Sequence, residues 1–175
     1  MSARDVADGS DRGRALCERL SDLATAGAVT VACAESLTSG AVASRLGAAP
    51  DSGDWFRGGI VAYSRTVKHS LLRVPEGPVV CEAAARAMAE TAAELLNADI
   101  AVAVTGVGGP GEQDGRPPGT VWFGVAGRGN SHTEQRRFDG RPEEILEHTV
   151  LRALELLITR AESVVDPRFV PRRGG

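Results

Sequence analysis

Residues 28–46 read AVTVACAESLTSGAVASRL: a short β-branched run (AVTVAC, 28–33), a cluster of small and polar residues able to turn, and an apolar-periodic stretch from Thr38 to Leu46. That order predicts strand, tight turn and helix. Downstream, GGIVAY at 58–63 reads as a buried strand, and Ser64 stands where a cap would start a short helix to Leu72. The unit is therefore β-α-β, with parallel strands. Upstream, Leu16, Leu20, Leu23 and Ala24 recur at helical spacing over 12–26, and Gly27 sits where a left-handed stop is expected.

The second half follows the same pattern. Ala85, Met88, Ala89, Ala92, Leu95 and Leu96 line one face of a helix that leads into the strand DIAVAVTG. The loop after it, GVGGPGEQDGRPPG at 106–119, holds too much Gly and Pro for regular structure, and loops of this length within a compact domain are usually functional or mobile. GTVWFGVAG and SHTEQRRF, joined by GRGN, form an expected antiparallel hairpin. Pro142, Glu143 and Glu144 then open a last helix with a buried stripe of Ile145, Val150, Ala153, Leu154 and Leu157. The expected fold class is α/β: a three-layer α/β/α sandwich around one mixed sheet, forming a single domain over 12–162 between loose termini at 1–11 and 163–175.

Composition narrows the function. A chain of 175 residues, 42% of them hydrophobic, builds one ordinary core. A formal net charge of -3 with interspersed signs argues against nucleic acid as a partner. The three cysteines, Cys17, Cys33 and Cys81, have no metal-ligand spacing and no even count for a disulfide framework, which fits a reducing cytoplasm. No apolar run is long enough to span a bilayer and no secretory leader is visible, so no membrane partner is expected.

In open α/β sheets ligands collect at the carboxyl ends of the strands, and three segments are expected there: Glu35–Ser39, Tyr63–Lys68 and Thr105–Gly119. Ser36, between a strand and a helix start, is the candidate nucleophile, beside unpaired backbone N–H groups suited to an oxyanion. Of the histidines, His69 adjoins Lys68, His132 lies on a polar strand and His148 on the last helix, so none is a compelling base. Lys68 is the better base, provided that burial or nearby positive charge lowers its pKa by ~3 units. The bland readings are a solvated helix lysine and a serine N-cap. GVGGPG matches neither a P-loop nor a dinucleotide fingerprint, but its amides can cradle a phosphate or carboxamide. Glu35, Glu112 and Asp114 are acidic without diagnostic metal-ligand spacing.

AESLTSG (34–40), FRGGIVAYSRTVK (56–68), ADIAVAVTGVGGPG (98–111) and PPGTVWFGVA (117–126) together resemble the CinA C-terminal domain, over about residues 12–160. The resemblance implies a stand-alone nicotinamide mononucleotide deamidase, acting in pyridine nucleotide recycling, with no metal or organic cofactor and with a homodimeric assembly. On this chain it implies Ser36, Tyr63 and Lys68 as catalytic residues. Glu35, Thr38, Thr105, Gly106, Gly109, Gly111 and Arg141 would contact the nucleotide. The chain departs from the family pattern at Leu37, Ser39, Arg65 and Cys81. Pro142 takes the place of the family's arginine, with Arg141 one position earlier, which bears on the substrate phosphate. Two other readings stay open: a catalytically silent nucleotide-binding protein, and an amidohydrolase of another small amide.

Overall fold

The computed structural model describes residues 3–127 and 129–165. In chain order they form α1 (Ala3–Gly27), β1 (Val31–Glu35), α2 (Ala41–Gly47), α3 (Ser52–Trp55), β2 (Phe56–Val61), α4 (Arg65–Ser70), α5 (Glu82–Leu95), β3 (Ile100–Gly106), β4 (Thr120–Gly127), β5 (Asn130–Arg137) and α6 (Pro142–Val165). The strands make one mixed sheet in the order β2-β1-β3-β4-β5, with β1 parallel to both β2 and β3, and β4 and β5 added antiparallel.

Strand alternation sorts side chains by size between the two faces. One face presents Val31 and Cys33, Ile100, Val102 and Val104, and Val121, Phe123 and Val125; α2 and α6 cover it, and α1 packs outside on α6. The other presents Ala32, Ala34, Ala101, Ala103 and Ala126 to the alanine-rich helix α5. Small residues on both partners let α5 approach closely, and a Cβ at Gly124 would stand 2.2 Å from the Ala85 carbonyl oxygen. The layers are those expected, an α/β/α sandwich.

Several boundaries move. The first helix begins at Ala3 rather than near residue 12, so it takes in residues expected to be loose. Gly13 is no breaker there: a Cβ on it would collide with the Arg45 guanidinium, so the glycine makes room at a helix contact. The left-handed residue that ends α1 is Ala28 (φ 48°), not Gly27, and Val29 N–H closes onto the Ala24 carbonyl at 2.9 Å. Gly27 instead makes room for Val165, since a Cβ on it would stand 2.4 Å from a Val165 methyl carbon. The first strand starts three residues later than AVTVAC suggests, and α2 starts at Ala41, leaving Thr38 in the turn. GGIVAY is an edge strand with alternating exposure, not a buried one, because nothing in the sheet pairs beyond β2. Of the C-terminal segment expected to be loose, 166–175 lie outside the described residues.

Candidate active site

The register delivers three loops to one place. Glu35 pairs with Val61 on one side and Val104 on the other, so Ser36 and Ala62–Tyr63 leave the sheet beside Thr105–Gly106, the last residues of β3, which still pair with β4. There a cavity of about 400 Å³ is lined by Ser36, Leu37, Tyr63, loop residues Gly106–Gly109 and Gly111–Gln113, and Pro142 and Leu146 from the start of α6. Ser36 is 8% exposed, on the rim between strand and turn.

The turn after Ser36 is shaped by Glu35. Its carboxylate, 0% exposed, accepts hydrogen bonds from the amides of Gly40 (3.0 Å), Val42 (3.0 Å) and Ala43 (2.8 Å). It thereby satisfies the orphan donors at the start of α2, a task left undone by the N-cap Gly40, which has φ 100° and no side chain. This corrects two expectations. Glu35 holds the turn and does not line the pocket, and the α2 amides are not available to an oxyanion. Among the described residues, the amides of Leu37, Gly108, Gly109 and Gly111 donate to no protein acceptor, so donors remain beside Ser36.

Lys68 is on α4, behind the pocket wall. The helix starts at Ser64, whose hydroxyl accepts from Val67 N–H at 3.2 Å as the sequence suggests. The Lys68 side chain is 1% exposed, and its Nζ donates to the Tyr63 carbonyl at 3.1 Å. Burial, assisted by the Arg65 charge, lowers its pKa to about 8. Tyr63 thus meets Lys68 through its backbone, while its side chain is 72% exposed and no hydrogen bond joins its phenol to Lys68. No hydrogen bond joins Ser36 to Lys68.

The remaining predicted residues divide. Gly106, Gly109 and Gly111 line the cavity. Thr105 does not: its hydroxyl donates to the Val79 carbonyl at 2.7 Å and ties β3 to the segment before α5. Thr38 is buried in the turn, its Oγ1 without a protein partner among the described residues. Arg141 lies outside the lining, paired with Glu143 (3.0 Å) and Glu144 (3.3 Å). Its neighbours Pro142 and Leu146 reach the pocket instead, one helical turn apart. That contribution of α6 was missed. The i, i+4 spacing was visible, but which end of the sheet it would face depends on the hairpin's return. No histidine lines the cavity, and the described residues hold no cluster of His, Cys, Asp or Glu arranged for a metal ion.

The geometry defines a class: a three-layer α/β protein with a serine-bearing pocket where its parallel strands end. The chain belongs to the CinA C-terminal domain family, whose model matches residues 14–161. A CinA-like protein of Synechococcus sp. (strain RCC307) is 49% identical over 120 residues, covering 64% of this chain and 28% of the relative. A CinA-like protein of Frankia casuarinae is 41% identical over 133 residues, covering 73% of this chain and 31% of the relative. The chain therefore spans about a third of the length of the curated relatives it matches. Among solved structures, a CinA superfamily protein from Escherichia coli superimposes with TM-score 0.80 at 36% identity, over 83% of this chain and 88% of that one. The competence damage-inducible protein A of Klebsiella pneumoniae does so with TM-score 0.82 at 32% identity, over 86% and 97%. No helix among the described residues is long and apolar enough to cross a membrane.

Proposed function

We propose that this chain is a nicotinamide-nucleotide amidohydrolase, converting nicotinamide mononucleotide and water to nicotinic acid mononucleotide and ammonia. One observation supports it above the others: a buried lysine with a lowered pKa sits on the carbonyl of Tyr63, a residue that lines the same pocket as Ser36. Ser36 Oγ attacks the carboxamide carbon as its proton passes to neutral Lys68, directly or through one water. The oxyanion is received by amides such as that of Leu37, which follows the nucleophile, and those of the Gly-rich loop. The tetrahedral intermediate expels ammonia, which leaves with the proton returned by Lys68, and water then hydrolyses the acyl ester on Ser36. In this reading the protein works in the cytoplasm as a homodimer, on a nucleotide and not on nucleic acid.

Hydrolysis of another small amide is the second reading, favoured by the engagement of Arg141 with Glu143 and Glu144 outside the cavity. Ammonia release from nicotinamide mononucleotide and from the unphosphorylated riboside, by wild type, Ser36→Ala and Lys68→Ala, tests both. Chelator-resistant turnover of the mononucleotide, lost about a thousandfold in each variant, is the expected result. Activity surviving Ser36→Ala excludes Ser36 as nucleophile. Preference for the riboside selects the second reading, and folded wild type inert on both leaves a nucleotide-binding role.

A further inference from the structure

The Gly-rich loop that lines the pocket is closed at its base by backbone bonds from Val107 to Thr120 (2.9 Å) and from Gly119 to Val107 (2.8 Å), and its tip is tied to neighbouring elements through one carboxylate. Gln113 and Arg116 exchange backbone hydrogen bonds (3.1 and 2.9 Å), closing a tight turn that presents Asp114. The Asp114 side chain, 5% exposed, accepts from the amides of Val79 (2.6 Å) and Val80 (2.9 Å) and pairs with the Arg65 guanidinium. Arg65 also donates to the Gly77 carbonyl at 3.0 Å, and Thr105 holds the same segment through Val79. Asp114 directly follows Gly111, Glu112 and Gln113 of the cavity wall, and Arg65 precedes Lys68 by one turn of α4. The loop above Ser36, the segment leading into α5 and the helix bearing Lys68 are thus joined at one point. An exposed ion pair would contribute little to this. A nearly buried carboxylate on two amides and a guanidinium is different, because removing it leaves several polar groups unsatisfied at once.

We propose that Asp114 and Arg65 are positioning residues, a clasp that holds the Gly-rich loop over the pocket so that its amides meet the substrate. The kinetic part of this rests on the amidohydrolase reading; the structural part does not. Backbone hydrogen exchange is compared for wild type, Asp114→Asn, Arg65→Gln and the double variant, together with kcat and KM on nicotinamide mononucleotide. Each single variant is expected to speed exchange at the bonded amides of Val79, Val80, Gln113 and Arg116 together, sparing α6. At about pH 9.5, above the pKa of Lys68 so that the loss of the Arg65 charge matters least, kcat is expected to fall about tenfold with KM changed much less, because the loop amides receive the oxyanion. The double variant should be little worse than Asp114→Asn alone, since the two act as one unit. Exchange unchanged at Gln113 and Arg116, loosening confined to one segment, or effects that simply add would overturn the clasp. Arg65 is half exposed, so Arg65→Gln keeps the test decisive if Asp114→Asn does not fold. If wild type does not turn over the mononucleotide, the function reading fails while exchange still judges the clasp.

Discussion

Glu35 and Lys68 are both buried charged-type side chains within a few residues of the pocket, yet their surroundings compensate them unequally. Glu35 has three amide donors, and Lys68 has one carbonyl acceptor. Replacing Glu35 with Gln turns an acceptor into a donor facing N–H groups, and is expected to cost about 1–3 kcal/mol in urea denaturation. Lys68, with its pKa near 8 from burial and the adjacent Arg65, takes up a proton from Ser36 only when neutral. The pH–rate profile should therefore rise through about pH 8 and level off above it, falling about tenfold per unit below. Between the folded value of about 8 and the ordinary 10.5 the unfolded chain binds more protons, so stability lost to Lys68 at low pH is regained as pH rises. Lys68→Met, inactive by this mechanism, should gain more stability over wild type at pH 6 than at pH 9, again read by urea denaturation. A gain independent of pH would count against the buried ammonium as the cause.

At the scale of elements, α5 is held tightly along its length and loosely at its start. Its N-cap is Cys81, with extended backbone geometry and no side-chain bond to the helix amides; its thiol turns to the Pro78 carbonyl instead. Cys81→Ser supplies the missing acceptor and is expected to stabilise the protein by about 1 kcal/mol in thermal or urea unfolding. The α5 stripe, apart from Leu95, which is 45% exposed, and the Ser64 cap were legible in the sequence because both depend on near neighbours in the chain. The clasp was not: Arg65 and Asp114 are 49 residues apart, and neither charge has a local pattern that names its partner. The role of Glu35 was equally hidden, since a carboxylate before a helix reads as a ligand until the turn shows it bonded to that helix.

The whole molecule is asymmetric about its sheet. Branched and aromatic side chains fill the face under α2 and α6, while alanines and Gly124 let α5 lie close on the other. The two faces should fail in opposite ways. Leu154→Ala on the first leaves a cavity and should cost about 2–5 kcal/mol. Ala103→Leu on the second has no space to enter and should cost about 1–3 kcal/mol or more through overpacking. Chemical denaturation of both variants measures the contrast; near-neutral substitution at Ala103 would show that α5 can move away. What the sequence determined by itself was what short-range chemistry encodes: the α/β alternation, the hairpin, the Gly-rich loop, and motifs enough to show the family. Tertiary structure decided which candidate side chains share a space. Ser36, Tyr63 and the loop glycines converge because parallel register ends β1 and β2 together, beside the last residues of β3. Thr105 and Glu35 are turned to internal hydrogen bonds because buried polar groups must find partners wherever the packed chain offers them.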